Sequence, residues 1–102
     1  MVDPQAARHQ IDIRLAKLRV MTFAELSALP AATSESIPFG SEEWTATTYV
    51  EVEAKKGIRV VVQVGPAEQP KFLLLRVQAD GFRIEADERV TPLSKEDLYE
   101  FM

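Results

Sequence analysis

The stretch WTATTYVEVEA, residues 44–54, decides the fold class of this chain of 102 residues. Its side chains alternate between a mainly apolar set and a polar set with a period of two, which is typical of a β-strand with one buried face. We expect the buried set to be Trp44, Ala46, Thr48, Val50, Val52 and Ala54, and the solvent-facing set to be Thr45, Thr47, Tyr49, Glu51 and Glu53. The rest of the chain must therefore supply partner strands and a layer that covers the apolar face.

The residues that follow this strand predict a hairpin. Residues 55–57 can turn the chain in a three-residue loop with Gly57 in the left-handed conformation. The expected register places Val52 opposite Val60, Val50 opposite Val62, and Glu53 opposite Arg59. Both faces agree with this register, because a slip of one residue would set Glu53 against Val60.

A second hairpin is predicted at Asp80-Gly81. A type I′ turn needs positive φ at both central residues, and Asp-Gly adopts that geometry at low cost. The turn would pair Val77 with Ile84 on one face and Arg76 with Glu85 on the other. With residues 66–70 joining the two hairpins, we expect a β-meander over residues 44–86.

Helices are predicted before the sheet, within residues 4–29. Asp3-Pro4 is typical of a helix start, and the helix is expected to run to about Arg19. Apolar residues at helical spacing define its core stripe, which consists of Ala7, Ile11, Leu15 and Leu18. Residues 22–25 (TFAE) form a capping box that begins a short second helix, expected to end at Leu29 before a proline.

The remaining segments complete the predicted fold. Residues 30–43 are predicted to be a loop with one short edge strand around Ile37, and Ser94 begins a short C-terminal helix over 94–102. We therefore expect a single α+β domain over residues 1–102, with N-terminal helices packed on a four- to five-stranded antiparallel β-meander. This arrangement is similar in outline to cystatin-like folds; the resemblance covers element order only and carries over no functional residue.

The composition argues against several classes of function. The net charge of −4 gives no long-range attraction for nucleic acid or for an anionic membrane surface, so neither is expected as a partner. The chain has no cysteine, which fits a reducing compartment, so a cytoplasmic location is expected. No apolar run approaches the ~20 residues that span a bilayer, and we expect no targeting segment.

No constellation of catalytic or metal-binding residues is predicted. His9 is the only histidine, and a lone imidazole without an orienting partner is a poor base or metal ligand. Glu51 and Glu53 share the polar face of a strand with Arg59 facing them, so a solvated surface is favoured over acid/base chemistry. We therefore expect no cofactor and no metal, and favour a non-enzymatic function.

Apolar residues beyond the predicted core mark surfaces that a partner could bind. Two of them lie on the first helix, nearly opposite its core stripe. Others fall on the outer face of the sheet, in the mixture of apolar, aromatic and Arg side chains that interfaces favour. The predicted partner-binding residues are Ile13, Val20, Tyr49, Val61 and Leu74. Two alternatives stay open for the outer face of the sheet: it binds a partner, or the C-terminal helix of the same chain covers it.

The sequence favours a non-enzymatic interaction protein that binds itself as a homo-oligomer or binds another protein. The alternative is a small-molecule-binding domain or enzyme whose site lies between sheet and helices, where Tyr49, Arg76 and Arg83 would bind an anionic molecule. A third hypothesis is a regulatory partner whose acidic surface masks a basic target.

Overall fold

A computed structural model of the chain describes residues 4–39, 42–53, 57–66, 78–94 and 98. Its helices are α1 (Pro4–Arg19) and α2 (Phe23–Ser27), and its strands are β1 (Ala32–Phe39), β2 (Glu42–Glu53), β3 (Gly57–Pro66), β4 (Gln78–Ile84) and β5 (Val90–Pro92). The five strands form one antiparallel sheet in the order β1-β2-β3-β4-β5. The predicted α+β class, with an N-terminal helix packed on an antiparallel sheet, is confirmed.

The core lies between α1 and one face of the sheet, which we call the inner face. The predicted stripe of α1 is buried, and the helix packs against β3 and β4. The sheet contributes Ile37, Trp44, Ala46, Val50, Ile58, Val60, Val62, Val64, Phe82 and Ile84 to the same cluster. The period-two prediction for β2 therefore assigned the buried face correctly, although Val52, near the end of the strand, is 62% exposed.

The capping box predicted at the start of α2 is present in full. The Thr22 hydroxyl accepts a hydrogen bond from the Glu25 N–H at 3.1 Å, and the Glu25 carboxylate accepts one from the Thr22 N–H at 3.0 Å. The helix is shorter than predicted, because it ends at Ser27 rather than Leu29. Leu26 is its one buried side chain and anchors it on the core.

The stretch 30–43 was predicted to be a loop with a short edge strand around Ile37. The edge strand is present but longer than predicted, because β1 occupies residues 32–39. Among the described strands, β1 lies at the edge of the sheet and pairs with β2, in a register that sets Ile37 opposite Trp44. Of the β1 side chains described, Ile37 alone is buried. Apart from Ile37 the strand has exposed side chains and no apolar alternation, so its Ser, Thr and Pro content resembles that of a loop.

The β2–β3 hairpin has a different register from the predicted one. Val50 lies opposite Val60 and Glu51 opposite Arg59, so the pairing is displaced by two residues. A displacement of two leaves every side chain on its predicted face, and for that reason the sequence pattern does not distinguish the two registers. Gly57 does have the predicted positive φ, at 102°. A Cβ there would also lie 2.2 Å from the Ile84 carbonyl oxygen.

The hairpin predicted at Asp80-Gly81 is wrong. Both residues lie inside β4, where Asp80 pairs with Val62 and Gly81 with Val61. Glycine is required here by close packing rather than by a turn, because a Cβ at Gly81 would lie 2.1 Å from the Val60 carbonyl oxygen. The chain reverses instead at residues 85–89, where the Glu85 N–H donates to the Arg89 carbonyl oxygen at 3.0 Å.

Some predictions fall outside the described residues. They include the strand that would carry Leu74 and Arg76, and most of the predicted helix over 94–102. Within that helix, the Leu98 N–H donates to the Ser94 carbonyl oxygen at 3.2 Å, which is the helical i to i−4 pattern. Among the described residues, no helix has the length and apolar character needed to cross a membrane.

Candidate functional site

A cleft beside α1 is a concave feature of the described surface. It has a volume of about 390 Å³ and lies between the helix and the inner face of β1 and β2. We call it the α1–β1 cleft; its lining residues are Gln10, Ile13, Arg14, Lys17, Leu18, Glu35 and Thr48. The cleft forms because α1 packs mainly on β3 and β4. The side of the helix that faces β1 and β2 is therefore left with a gap above these two strands.

An ion pair spans the α1–β1 cleft and ties the helix to the edge strand. Arg14 Nη2 lies 2.8 Å from Glu35 Oε2. Arg14 Nη1 also donates to Gln10 Oε1 at 2.6 Å, one helical turn away. Both contacts hold the guanidinium in place, so Arg14 is already occupied by groups of its own chain.

Lys17 adds an exposed positive charge to the rim of the cleft. No carboxylate of the described residues pairs with its ammonium group, in contrast to Arg14. Thr48 contributes a half-buried hydroxyl from β2. The lining thus combines an apolar part, formed by Ile13 and Leu18, with a cation, an amide and a hydroxyl.

The exposed apolar residues predicted on α1 are at the surface. Ile13 is 38% exposed and lines the cleft, and Val20, which follows the last residue of α1, is 83% exposed. Neither side chain has become part of the core of its own chain. Of the residues predicted to bind a partner, Ile13 is therefore the one that combines apolar character with a concave surface.

The outer face of the sheet does not expose Val61. This side chain is fully buried, although it lies opposite the main core cluster. Leu93 helps to cover this region, because its Cδ1 lies 3.1 Å from where a Cβ on Gly81 would be, and Gly81 is the β4 partner of Val61. Val61 therefore has no exposed surface of its own in this structure, and most of the C-terminal helix that was the predicted alternative cover lies outside the described residues.

The structure places two of the three residues of the predicted small-molecule site away from the α1–β1 cleft. Tyr49 and Arg83 lie on the outer face, whereas the α1–β1 cleft lies on the inner face. The Tyr49 hydroxyl donates to Gln63 Oε1 at 3.4 Å, and Arg83 Nη2 lies 3.1 Å from Glu53 Oε1. Arg76 lies outside the described residues.

The outer face carries a charge cluster that sequence reasoning treated as solvated surface. Arg59 is only 5% exposed, and its Nη2 lies 2.8 Å from Glu51 Oε2. Its Nε lies 3.9 Å from Glu53 Oε1, which also binds Arg83. Among the contacts of the described residues, two carboxylates thus pair with two guanidinium groups, an arrangement expected to stabilise the sheet rather than perform chemistry.

A second ion pair, away from the cleft, also holds α1 on the sheet. Arg8 Nη2 lies 2.6 Å from Asp80 Oδ2, so the helix is tied to β4 as well as to β1. The hydrogen bond to Asp80 raises the pKa of the Arg8 guanidinium above its ordinary value. His9 is exposed on the same helix, and no group of three potential metal ligands occurs in the part of the chain that the structure describes.

Sequence reasoning identified Ile13 but missed most of the other cleft residues, including Glu35, which was assigned to a loop. The helical spacing of Gln10, Ile13, Arg14 and Lys17 already places them on one side of α1. What was not predicted was the full length of β1, which brings Glu35 into the opposite wall. No protein-family model, curated protein or solved structure matches this chain.

Proposed function

We propose that this protein is a non-enzymatic interaction domain that associates with a second copy of itself, through the side of the molecule where α1, the α1–β1 cleft and the edge strand β1 meet. The observation that carries the proposal is Ile13, an apolar side chain 38% exposed in a concave surface next to β1, the outermost of the described strands on this side. Interfaces combine a central apolar contact with a polar rim, and the cleft lining has this composition.

The distribution of charge supports this surface over the outer face. The outer face of β2 and β3 presents an ion cluster whose members already bind one another. Fully paired charges offer a partner little additional binding free energy. In the cleft, by comparison, burial of Ile13 against a partner would remove exposed apolar area from water.

The test is the oligomeric state of the purified protein across a wide concentration range, measured by light scattering coupled to size exclusion and by sedimentation equilibrium. We expect the wild type to show a dimer that dissociates on dilution. An Ile13→Glu variant should shift dissociation to higher concentration, because it places a carboxylate in the cleft beside Glu35.

The matched control is Ala16→Glu, which adds the same charge to an exposed position of α1 that does not line the cleft. It should associate like the wild type. A wild type that stays monomeric at the highest concentration would contradict self-association, and equal effects of both variants would show that added negative charge, rather than the cleft, is responsible.

A second function is favoured by the volume and chemistry of the cleft. A volume of about 390 Å³ lies in the range of small-molecule sites, and Lys17, Gln10 and Thr48 provide a cation, an amide and a hydroxyl around an apolar part. These groups suit a small molecule with a carboxylate and an apolar body. Thermal unfolding measured against a panel of small carboxylic acids tests this, with Lys17→Met expected to abolish any stabilisation that such a compound produces.

A further inference from the structure

The edge of β1 that faces away from β2, where the described part of the chain places no strand, has a defined pattern of backbone donors and acceptors. The Val50 N–H donates to the Ala31 carbonyl oxygen at 2.9 Å, in the register that pairs Ala32 with Tyr49. Because hydrogen-bonded and non-hydrogen-bonded pairs alternate along an antiparallel ladder, odd-numbered residues of β1 direct their backbone groups toward β2. Ala32, Ser34, Ser36 and Pro38 therefore direct theirs away from the sheet, where the described residues include no further strand.

The position of Pro38 agrees with this pattern. Proline has no N–H to donate, and within sheets it is tolerated where the missing donor would face away from a neighbour. At the outward-facing position 38, it costs no hydrogen bond to β2. It also ends the usable edge, so residues 32–36 remain available for pairing.

We infer that β1 pairs with β1 of a second copy, antiparallel and centred on Ser34, which joins the two sheets into one. This inference rests on the proposed self-association and specifies its geometry. Ser34 would face its own counterpart and Ala32 would face Ser36, so each outward donor meets an acceptor. The ladder would contain about six inter-chain hydrogen bonds.

Charge selects this register over its neighbours. On the inner face, Glu35 faces Thr33 of the second copy, whereas a shift of the pairing centre to residue 35 would set two Glu35 carboxylates directly opposite each other. A shift in the other direction, to residue 33, loses hydrogen bonds at the end of the ladder. In the favoured register Pro38 lies opposite residue 30, beyond the start of β1, so no donor is missed.

The inward-facing Glu35 is the feature that would oppose edge pairing, since charged residues that point inward protect sheet edges. Here its carboxylate is bound by Arg14 at 2.8 Å, within its own chain. The α1–β1 clefts of the two copies would then open on the same side of the joined sheet, on either side of the shared seam. This places Ile13 near the interface without making it part of the ladder.

Disulfide trapping tests the register directly, because the natural chain has no cysteine. In an antiparallel hydrogen-bonded pair the Cα atoms are about 5.5 Å apart, a distance that a disulfide can bridge. A Ser34→Cys variant should form a covalent dimer rapidly under mild oxidation. The matched control is Ser36→Cys, on the same strand and face, whose two copies would be displaced by four residues, about 13 Å along the strand, and should remain uncrosslinked.

A second variant examines the hydrogen bonds themselves. Ser34→Pro removes the central donor on the free edge and leaves the ladder to β2 intact, so the monomer should keep its circular dichroism spectrum. Loss of the central pair of bonds should raise the dimer dissociation constant about tenfold or more.

The outcomes separate this geometry from the proposed function. Rapid crosslinking of the Ser34→Cys variant, together with dissociation by Ser34→Pro, supports edge pairing. A wild-type dimer that Ile13→Glu dissociates, combined with a Ser34→Cys variant that does not crosslink, would overturn edge pairing and leave self-association in place. Equal crosslinking at positions 34 and 36 overturns the register, and a monomeric wild type overturns both proposals.

Discussion

Arg59 and Arg83 lie directly opposite each other on β3 and β4, with like charges on neighbouring strands. Like charges in this position destabilise a sheet unless they are compensated. Glu53 lies near both guanidinium groups, with its Oε1 at 3.1 Å from Arg83 Nη2 and at 3.9 Å from Arg59 Nε. The side chain of Glu53 is 16% exposed and that of Glu51 is 49% exposed.

Replacement of Glu53 is therefore expected to destabilise the protein more than replacement of Glu51. Glu53→Gln should lower the free energy of unfolding by about 2 kcal/mol, because it leaves two opposed cations with less compensation. Glu51→Gln, at a more exposed carboxylate, should cost about 1 kcal/mol or less. Urea unfolding at neutral pH measures both, and equal losses would contradict the central role of Glu53.

A glycine substitution distinguishes a turn from a strand at position 81. Asparagine is accepted in a type I′ turn because it adopts positive φ readily. Within β4, however, the Cβ of an asparagine would meet the Val60 carbonyl oxygen. Gly81→Asn should therefore cost more than about 2 kcal/mol of unfolding free energy.

The control for this experiment is Ala86→Asn, which introduces the same residue in the exposed reversal after β4 and should change stability by less than about 0.5 kcal/mol. A mild effect of Gly81→Asn in thermal and urea unfolding would argue for the hairpin that the sequence suggested.

Val61 should behave as a core residue although it lies on the outer face. Truncation by Val61→Ala removes buried methyl groups from a fully buried side chain and should lower the unfolding free energy by about 1–3 kcal/mol. Val52→Ala is the matched control on β2, where the side chain is 62% exposed, and it should have little effect. If both variants lost a similarly small amount of unfolding free energy in denaturant, Val61 would have to be an accessible residue rather than a core residue.

The capping box makes a prediction about α2. Thr22→Ala removes the hydroxyl that accepts the Glu25 N–H and should cost about 1 kcal/mol of unfolding free energy. Thr22→Ser keeps an acceptor at the same place and should retain most of the stability. If the serine variant were as unstable as the alanine variant in urea unfolding, packing of the Thr22 methyl group, not capping, would be the cause.

The features predictable from the sequence are those in which one physical requirement produces one pattern. The period of two in β2, the apolar stripe of α1 and the capping box at Thr22 are of this kind, and each has its predicted counterpart in the structure. The exposure of Ile13 was predictable in the same way, because this residue lies off the core stripe of α1.

The errors arose where two requirements produce the same residue or pattern. Glycine serves a tight turn and a close backbone approach equally well, so Asp80-Gly81 resembled a hairpin although it packs against Val60. A register shift of two residues keeps every side chain on its face, so the β2–β3 pairing was not determined by alternation. β1 was predicted only as a short edge strand around Ile37, because an edge strand needs little buried surface, and the role of Glu35 and the cleft were therefore missed.

The order in which the strands connect has a consequence for folding kinetics. The connections between β1, β2 and β3 are short and consist of residues 40–41 and 54–56. The connection from β3 to β4 is longer, residues 67–77, and the contact of α1 with β4 joins segments that are about 60 or more residues apart in the sequence. Contacts of low sequence separation lose less loop-closure entropy and form earlier. We expect the three-stranded unit β1–β2–β3 to be largely formed in the transition state, so that conservative truncations at the β2–β3 pairing slow refolding while truncations at Phe82 or Ile84 mainly accelerate unfolding.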